Sequence, residues 1–524
     1  MKDGLKLSAF VKLAVLAILV LLCESGTCVP SASALAHDSP RPTFELTIHP
    51  VPSGTEVTSV DVREKIEHVL VPSGHVLALR APITYASVTG IADSMENLDV
   101  RDAQGVVPLR RQDDPPDSGG FPFYRHWAAQ RPVLSPIFVS YRVRPRVTGY
   151  MGPQFALQSY GGGISSAGSG FLILPEDLGV NFGVRVVWDL SGMAPGSFGV
   201  TTFGEGPFTL RGSPEQLMEG YFMAGPLGRY PQRGTVKGFS GYWLGLPPFD
   251  PVQELAWVSR CYRYLRSFFR DTGASSYRVF IRVLPGVSGT PGTALLNSFM
   301  LGAPPRSSHP LGPAPRESIT HEMVHHWALG LQGDPGAIAW FHEGIATFYM
   351  RLLPMRAGLI SVESYRQSIS STAEAYFTNP YRNAPLDELA HLGFSTGVGP
   401  GSAQNVAYTR GSLYLADLDA RIRDASRGRR KLDDLLLPLF ARIRSGEKVN
   451  QDTWVDVITK ALGPSARAEF ESVIVKGETI EPVSGAFGPC FERRPTKFQS
   501  QGKSVDGFEW VRIPTVADEV CRQW

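Results

Sequence analysis

The spacing of apolar and polar residues divides this chain into a strand-rich part and a helix-rich part. Between residues 42 and 230, short apolar runs such as FELTIHP and IFVSYRV are separated by Gly, Pro and Asp residues that form turns. This pattern predicts an N-terminal antiparallel β domain of sandwich type. The 54 glycines and 42 prolines agree with a chain that turns often.

The pattern changes near residue 250, where apolar residues begin to recur at helical spacing. One strand, YRVFIRVLP at 277–285, and a Gly/Pro-rich segment at 286–316 interrupt this pattern. Helices are predicted at 251–271, 317–331, 338–353, 362–377, 403–424, 431–444, 452–462 and 465–475. A small sheet followed by helices is typical of an α+β domain.

A chain of 524 residues with these two patterns is predicted to be multidomain. We expect a signal peptide at 1–36, the β-rich domain at 37–235, the mostly helical α+β domain at 236–476 and an extension at 477–524. The formal net charge is +2 and no long run of one sign occurs, so no nucleic-acid partner is expected.

Residues 1–36 have the pattern of a secretory signal peptide. Lysines precede the apolar run LAVLAILVLLC, and Ala34-Leu35-Ala36 fits a cleavage site before His37. The run is short for a membrane span, so an uncleaved N-terminal anchor is the less favoured alternative. We therefore expect a secreted or periplasmic protein with no stable membrane span after cleavage.

Export would place the remaining cysteines in an oxidising compartment. Cys490 and Cys521 could staple the extension, although the sequence leaves open whether they form a disulfide. Cys261 lies in a predicted helix and is expected to be a buried thiol.

The heptapeptide HEMVHHW, residues 321–327, carries the first candidate chemistry. Residues four apart share one face of a helix, so His321 and His325 can bind one ion, with Glu322 between them as a general base. The alternative is a polar patch on an ordinary helix. A third protein ligand would favour zinc, because catalytic zinc takes three ligands and keeps one open position.

The segment WFHEGIATFYM, residues 340–350, offers that third ligand. Glu343 lies in an amphipathic helix among aromatic residues, and Gly344 allows a neighbouring helix to approach closely. A carboxylate in such surroundings must be paired or bound, because a bare buried charge is unfavourable. The alternative is a glutamate at the edge of the core that caps a neighbouring element.

Together with VAYTRGSLYLADLDARIR at 406–423, these motifs resemble the glycyl aminopeptidase family of gluzincin metallopeptidases, relatives of the aminopeptidase N and thermolysin groups. The resemblance implies a β-rich N-terminal domain, a thermolysin-like catalytic domain and hydrolysis at peptide N-termini. Many members also carry a C-terminal PDZ domain, and the extension after residue 477 is too short for one.

Residue by residue, the resemblance implies one zinc ion bound by His321, His325 and Glu343. Glu322 would take the proton of the attacking water and pass it on. Tyr408 would donate a hydrogen bond to the oxyanion of the reacting peptide bond.

The sequence departs from the family upstream of these motifs. The aminopeptidases usually have a glutamate there that pairs with the substrate's amino group, but the matching stretch GTALLNSFML, 292–301, contains no acid. An aminopeptidase acting on peptides or proteins is the leading prediction. The alternatives are a zinc endopeptidase or oligopeptidase, and a non-catalytic peptide-binding protein that keeps the fold. The preferred side chain, the natural substrate and the oligomeric state stay open.

Overall fold

The structure is a computed structural model, and the predicted signal peptide lies outside the residues that it describes. The described residues are 41–69, 76–86, 88–116, 122–146, 154–176, 181–233, 238–273, 276–287, 290–307, 311–312, 315–397, 399–500 and 502–524. Residues 41–524 cluster as one unit, so the domain boundaries near 235 and 476 stay predictions.

Alternation of buried and partly exposed residues builds the N-terminal sheets, as in the first strand, where every second side chain faces the core. The strands of this part are β1 Thr43–Ser53, β2 Glu56–Glu67, β3 Ala78–Thr84, β4 Met95–Asp102, β5 Gly105–Val106, β6 Leu109–Asp113, β7 Phe123–Ala129, β8 Ile137–Val143, β9 Gln158–Tyr160, β10 Gly163–Ala167, β11 Leu174–Pro175, β12 Phe182–Trp188, β13 Phe198–Thr201, β14 Gly204–Glu205, β15 Phe208–Gly212 and β16 Tyr221–Gly225.

These strands form sheets in the orders β15-β12-β1-β2-β8-β4-β5, β14-β13-β16-β10-β9 and β11-β3-β7-β6. The predicted β-rich N-terminal part is confirmed. One pair, β1 with β12, runs parallel, with Leu46 opposite Val186. The sequence pattern did not reveal this pair, because side chains alternate in the same way in parallel and antiparallel strands.

A further sheet begins the helical part, in the order β17-β18-β19-β21-β20. Its strands are β17 Gly228–Tyr230, β18 Phe239–Leu244, β19 Tyr277–Val283, β20 Gly292–Leu295 and β21 Ser298–Ala303. The central β18, β19 and β21 are parallel, and all residues of β19 are buried, as expected for a strand covered on both faces. β20 is an antiparallel edge strand.

The helices confirm the predicted helical region with small shifts of their ends. They are α1 Pro251–Phe268, α2 Arg316–Val324, α3 Pro335–Arg356, α4 Val362–Phe377, α5 Leu386–Leu392, α6 Ala403–Ser426, α7 Asp433–Arg444, α8 Gln451–Leu462, α9 Pro464–Phe470 and α10 Asp518–Gln523. The helix predicted at 317–331 ends early, at Val324. Beyond it the backbone forms hydrogen bonds that span three residues instead of four, as from the N–H of His326 to the carbonyl of Met323.

The extension after residue 477 is folded. It forms a hairpin of β22 Phe491–Ser500 and β23 Lys503–Arg512, whose Phe498 and Phe508 pack on Phe377 of α4. A disulfide joins Cys490 to Cys521, a pairing that the sequence left open. Cys261 is a buried free thiol, as the sequence predicted. Among the described residues, no helix is long and apolar enough to cross a membrane.

Buried apolar residues form one cluster in the N-terminal sheets and another around the helices. A third cluster joins the two, with Phe155 and Tyr221 from the N-terminal part and Phe280 and Met300 from the second part. This contact fixes β20 and β21 against the N-terminal strands, where Tyr221 also donates a hydrogen bond to the carbonyl of Thr293. The edge strand is thereby held beside α2.

Candidate metal and catalytic site

Helices α2 and α3 bring three candidate ligands to one point. The Nε2 atom of His321 lies 3.0 Å from Oε2 of Glu343, and Nε2 of His325 lies 3.3 Å from the same oxygen. The two Nε2 atoms are 3.1 Å apart. The ligand atoms of all three residues lie within 4.8 Å of one another.

Local sequence explains this convergence. His321 and His325 are one helical turn apart and share a face of α2, with His325 ending the helix. Asp334 caps the start of α3 by accepting a hydrogen bond from the backbone N–H of Ala337, which fixes the register in which Glu343 faces α2.

The donor set fits a zinc ion. Two imidazoles and one carboxylate are the ligands of known catalytic zinc sites with two histidines and a glutamate. Burial acts to raise the pKa of Glu343, but the charge of His325 and hydrogen bonds from the two histidines lower it well below its ordinary value. The carboxylate is therefore held in its charged form, which a metal ligand requires.

Further side chains surround the imidazoles. The Oγ1 atom of buried Thr347 lies 3.5 Å from Nδ1 of His321. The ring of His342 lies 4.1 Å from the ring of His325, whose Nδ1 has no hydrogen-bond partner among the described residues. His326 also borders the cavity, where its ring packs edge-on against Tyr277, and it is not among the three candidate ligands.

The side chain of Glu322 extends from α2 towards the edge strand β20. A Cβ atom added to Gly292 would lie 3.2 Å from Cγ of Glu322, so the strand passes close to this side chain. Burial raises the pKa of Glu322 to about 7, partly offset by the charge of His325. The stretch 292–301, which the sequence singled out for lacking an acid, thus does border the site.

Tyr408 reaches the same point from α6. Its ring stacks on the ring of His321, with centroids 5.4 Å apart and planes at 16°. Burial, followed by the nearby carboxylates of Glu343 and Glu322, raises the pKa of Tyr408 well above its ordinary value. The phenol is therefore a hydrogen-bond donor at neutral pH, and Gln404 also contacts its oxygen at 3.3 Å.

All five predicted site residues line one cavity of about 1050 Å³. Its walls come from β20, α2, α3, α4 and α6, with Ala86 and Phe155 contributed by the N-terminal part. Sequence reasoning missed Thr347, Arg351 and Asn405 on these walls. Thr347 lies one turn after Glu343 and could have been found from that spacing, whereas the other two carry no local signal.

Comparisons with known proteins point to one class. A family model of the M61 glycyl aminopeptidases matches residues 334–397, which include Glu343. An aminopeptidase N family protein from Idiomarina loihiensis has a similar structure, with a TM-score of 0.71 and 14% identity over 87% of this chain and 79% of that chain. No curated protein matches the chain in sequence.

An M1 zinc metallopeptidase from Deinococcus radiodurans is also similar in structure, with a TM-score of 0.49 and 17% identity over 85% of this chain and 95% of that chain. The multidomain fold, β-rich and then helical, is shared with the Idiomarina protein and is confirmed. The predicted resemblance to the glycyl aminopeptidases is confirmed by the family model. The segment that matches the peptidase family model, residues 334–397, carries Glu343 of the His-His-Glu site, and these two findings together support a zinc metallopeptidase.

Proposed function

We propose that this protein is an exported zinc-dependent aminopeptidase that binds one zinc ion through His321, His325 and Glu343. The observation that carries the proposal is the convergence of these three ligand atoms, within 4.8 Å of one another, in a cavity that also holds Glu322 and Tyr408. A zinc ion bound there would activate water and polarise the peptide carbonyl near neutral pH.

The other two residues supply proton transfer and charge stabilisation. Glu322 projects beside the ligands and would accept the proton of the attacking water, then deliver it to the leaving amine. Tyr408 would donate its hydroxyl proton in a hydrogen bond to the carbonyl oxygen as negative charge develops there. Gly292 allows β20 to approach Glu322, so the substrate backbone and the base would meet at this edge.

A second candidate, a zinc endopeptidase or oligopeptidase, is favoured by one observation. Among the described residues that line the cavity, the acids are Glu317, Glu322 and Glu343. Glu322 is assigned as the base and Glu343 as a ligand, while Glu317 faces Arg351. A carboxylate dedicated to a substrate's free amino group is therefore not evident among them.

Export is supported by two features. The first is the signal-peptide pattern of residues 1–36. The second is the Cys490–Cys521 disulfide, because disulfides persist in oxidising compartments.

The test is hydrolysis of paired peptides that are identical except for a free or acetylated N-terminus, followed by mass spectrometry. An aminopeptidase trims only the free member, loses activity with a chelator and regains it when zinc is restored. Internal cleavage of both members would favour the endopeptidase. The Glu322→Gln variant, purified in parallel, excludes a contaminating protease. Zinc binding without hydrolysis of any peptide would favour a non-catalytic binding protein.

A further inference from the structure

Arg351 lies on α3, about two turns after Glu343 and one turn after Thr347. The residue is only 5% exposed, yet it lines the same cavity as the candidate metal ligands. It is the only arginine or lysine among the described residues of that lining. The wall of the cavity therefore carries one buried positive charge from a lysine or arginine among the described residues.

The guanidinium of Arg351 is incompletely paired. Its Nη1 donates to the carbonyl of Ser368 at 3.1 Å and also to Oγ1 of Thr372, which ties α3 to α4. Its Nε atom is buried and has no acceptor within the described ranges. The Nη2 atom is 4.0 Å from Oε2 of Glu317, which is too long for a hydrogen bond.

A buried cation in this state is unfavourable unless an anion completes its hydrogen bonds. Burial lowers the pKa of Arg351, which reflects the same loss of hydration. Glu317 offsets the charge only in part, because its side chain is 48% exposed and lies at a distance. The Nε–Nη2 edge, whose Nε has no acceptor among the described residues and whose Nη2 lies 4.0 Å from Glu317, matches the two oxygens of a carboxylate.

Hydroxyl-bearing residues of α2 and α4 share this part of the lining with the apolar Met350 and Ala375. Ser318 of α2 and Ser371 and Thr372 of α4 line the cavity around Arg351.

We propose that Arg351 is a specificity-determining residue that binds a carboxylate of the substrate within the cavity that holds the candidate metal ligands. The carboxylate belongs either to an acidic side chain or to the C-terminus of a short peptide. This inference rests on the proposed peptidase function and names a substrate class for the same site. Glu317 would swing away from Arg351 when such a substrate binds.

The experiment measures kcat/KM of the zinc-loaded enzyme for matched peptides. One pair is Ala-Ala as the free acid and as the C-terminal amide. The other pairs are amidated Ala-Glu-Ala with Ala-Gln-Ala, and amidated Glu-Ala-Ala with Gln-Ala-Ala. We expect the charged member of at least one pair to be favoured roughly tenfold or more. A preference within the first pair indicates recognition of a C-terminal carboxylate. A preference within either of the other two pairs indicates recognition of an acidic side chain.

Variants then assign the preference to Arg351. Arg351→Gln should abolish the preference, and Arg351→Lys should restore part of it. Arg442→Gln changes a partly exposed arginine on α7 outside the cavity lining and should leave the preference unchanged. Glu317→Gln should increase the preference, because it removes the competing carboxylate at an exposed position. This last variant keeps the test valid even if Arg351→Gln does not fold.

Charged and neutral members hydrolysed within twofold of one another in every pair would overturn the inference while leaving the peptidase intact. An unchanged preference in Arg351→Gln would overturn it as well. If the wild-type enzyme hydrolyses no peptide of any pair, the proposed function fails, and this inference fails with it.

Discussion

Gly344 of α3 and Gly411 of α6 meet backbone to backbone. A Cβ atom added to Gly411 would lie 2.2 Å from the carbonyl oxygen of Trp340 and 3.0 Å from Cα of Gly344. Gly344 follows Glu343 directly, and Gly411 lies one turn after Tyr408. The close contact between these helices therefore sets the distance between a candidate metal ligand and the phenol.

Replacing Gly411 by alanine should test this contact. The added methyl group must push α3 and α6 apart, and we expect a loss of about 2 kcal/mol in the free energy of unfolding. Urea denaturation followed by tryptophan fluorescence measures the change. Gly485→Ala is the control, because nothing lies within 4 Å of its Cβ position. Equal stability of the two variants would contradict the proposed role of the contact.

Tyr408→Phe should lower turnover more than it weakens substrate binding. The ring would still stack on His321, but the donor to the developing oxyanion would be lost. We expect kcat to fall on the order of 10²-fold with KM changed little. Steady-state kinetics on one peptide provides both values. A variant with unchanged kcat would remove Tyr408 from the mechanism.

Thr347 is expected to orient His321. Its hydroxyl is the group that contacts Nδ1 of the imidazole, at 3.5 Å. Thr347→Val keeps the volume and removes this contact, so we predict a zinc affinity about tenfold weaker. Competition with a chromophoric chelator measures the affinity without reference to activity. Thr347→Ser should restore most of it, and equal affinities of the Val and Ser variants would show that the hydroxyl does not matter.

The sequence predicted the site residues whose pattern is local and missed those whose role depends on contacts between distant segments. His321, His325 and Glu343 carry local spacing on amphipathic helices, so two segments were enough to propose a metal site. Tyr408 came only from the resemblance, because nothing in its own helix distinguishes it. Arg351 was missed because its significance depends on facing Glu317 across two helices.

The secondary-structure elements were likewise predicted where the local pattern is strong and missed where it is weak. Strong periodic segments such as 362–377 were predicted to the residue, and this helix is α4. The strands β20 and β21 were hidden in the Gly/Pro-rich segment at 286–316, where turn residues mask short strands. The hairpin β22–β23 was missed because its many charged residues lack an apolar alternation, and its stability comes from packing on Phe377 and from the disulfide.

A buried glutamate predicts a pH dependence in the N-terminal sheets. Glu64 on β2 is almost completely buried, and burial raises its pKa well above the ordinary value, with partial compensation from the hydroxyl of Tyr141. The folded state therefore binds this proton more tightly than the unfolded state, whose glutamate has a pKa of about 4.3. The stability that Glu64 contributes is present below that pH and is lost as pH rises through the folded pKa.

Glu64→Gln removes this loss of stability at higher pH, because the glutamine amide stays neutral. The free energy of unfolding of the variant should rise relative to that of the wild type between pH 4 and pH 8, by about 1.4 kcal/mol for each unit of the pKa shift that falls in this range. Urea denaturation at several pH values gives the difference. Glu45→Gln on the neighbouring β1, where the side chain is 43% exposed, serves as control. A difference independent of pH would contradict the buried neutral glutamate.

The central claim is that His321, His325 and Glu343 bind a catalytic zinc ion beside Glu322 as the base. The most direct measurement is zinc content and peptide turnover on the same preparations of the wild type and of Glu322→Gln. We predict about one zinc per chain in both proteins, and a turnover of the variant lowered by roughly 10²–10⁴-fold. A variant that retains zinc and hydrolyses peptides at the wild-type rate, or a wild type that binds no zinc, would contradict the account.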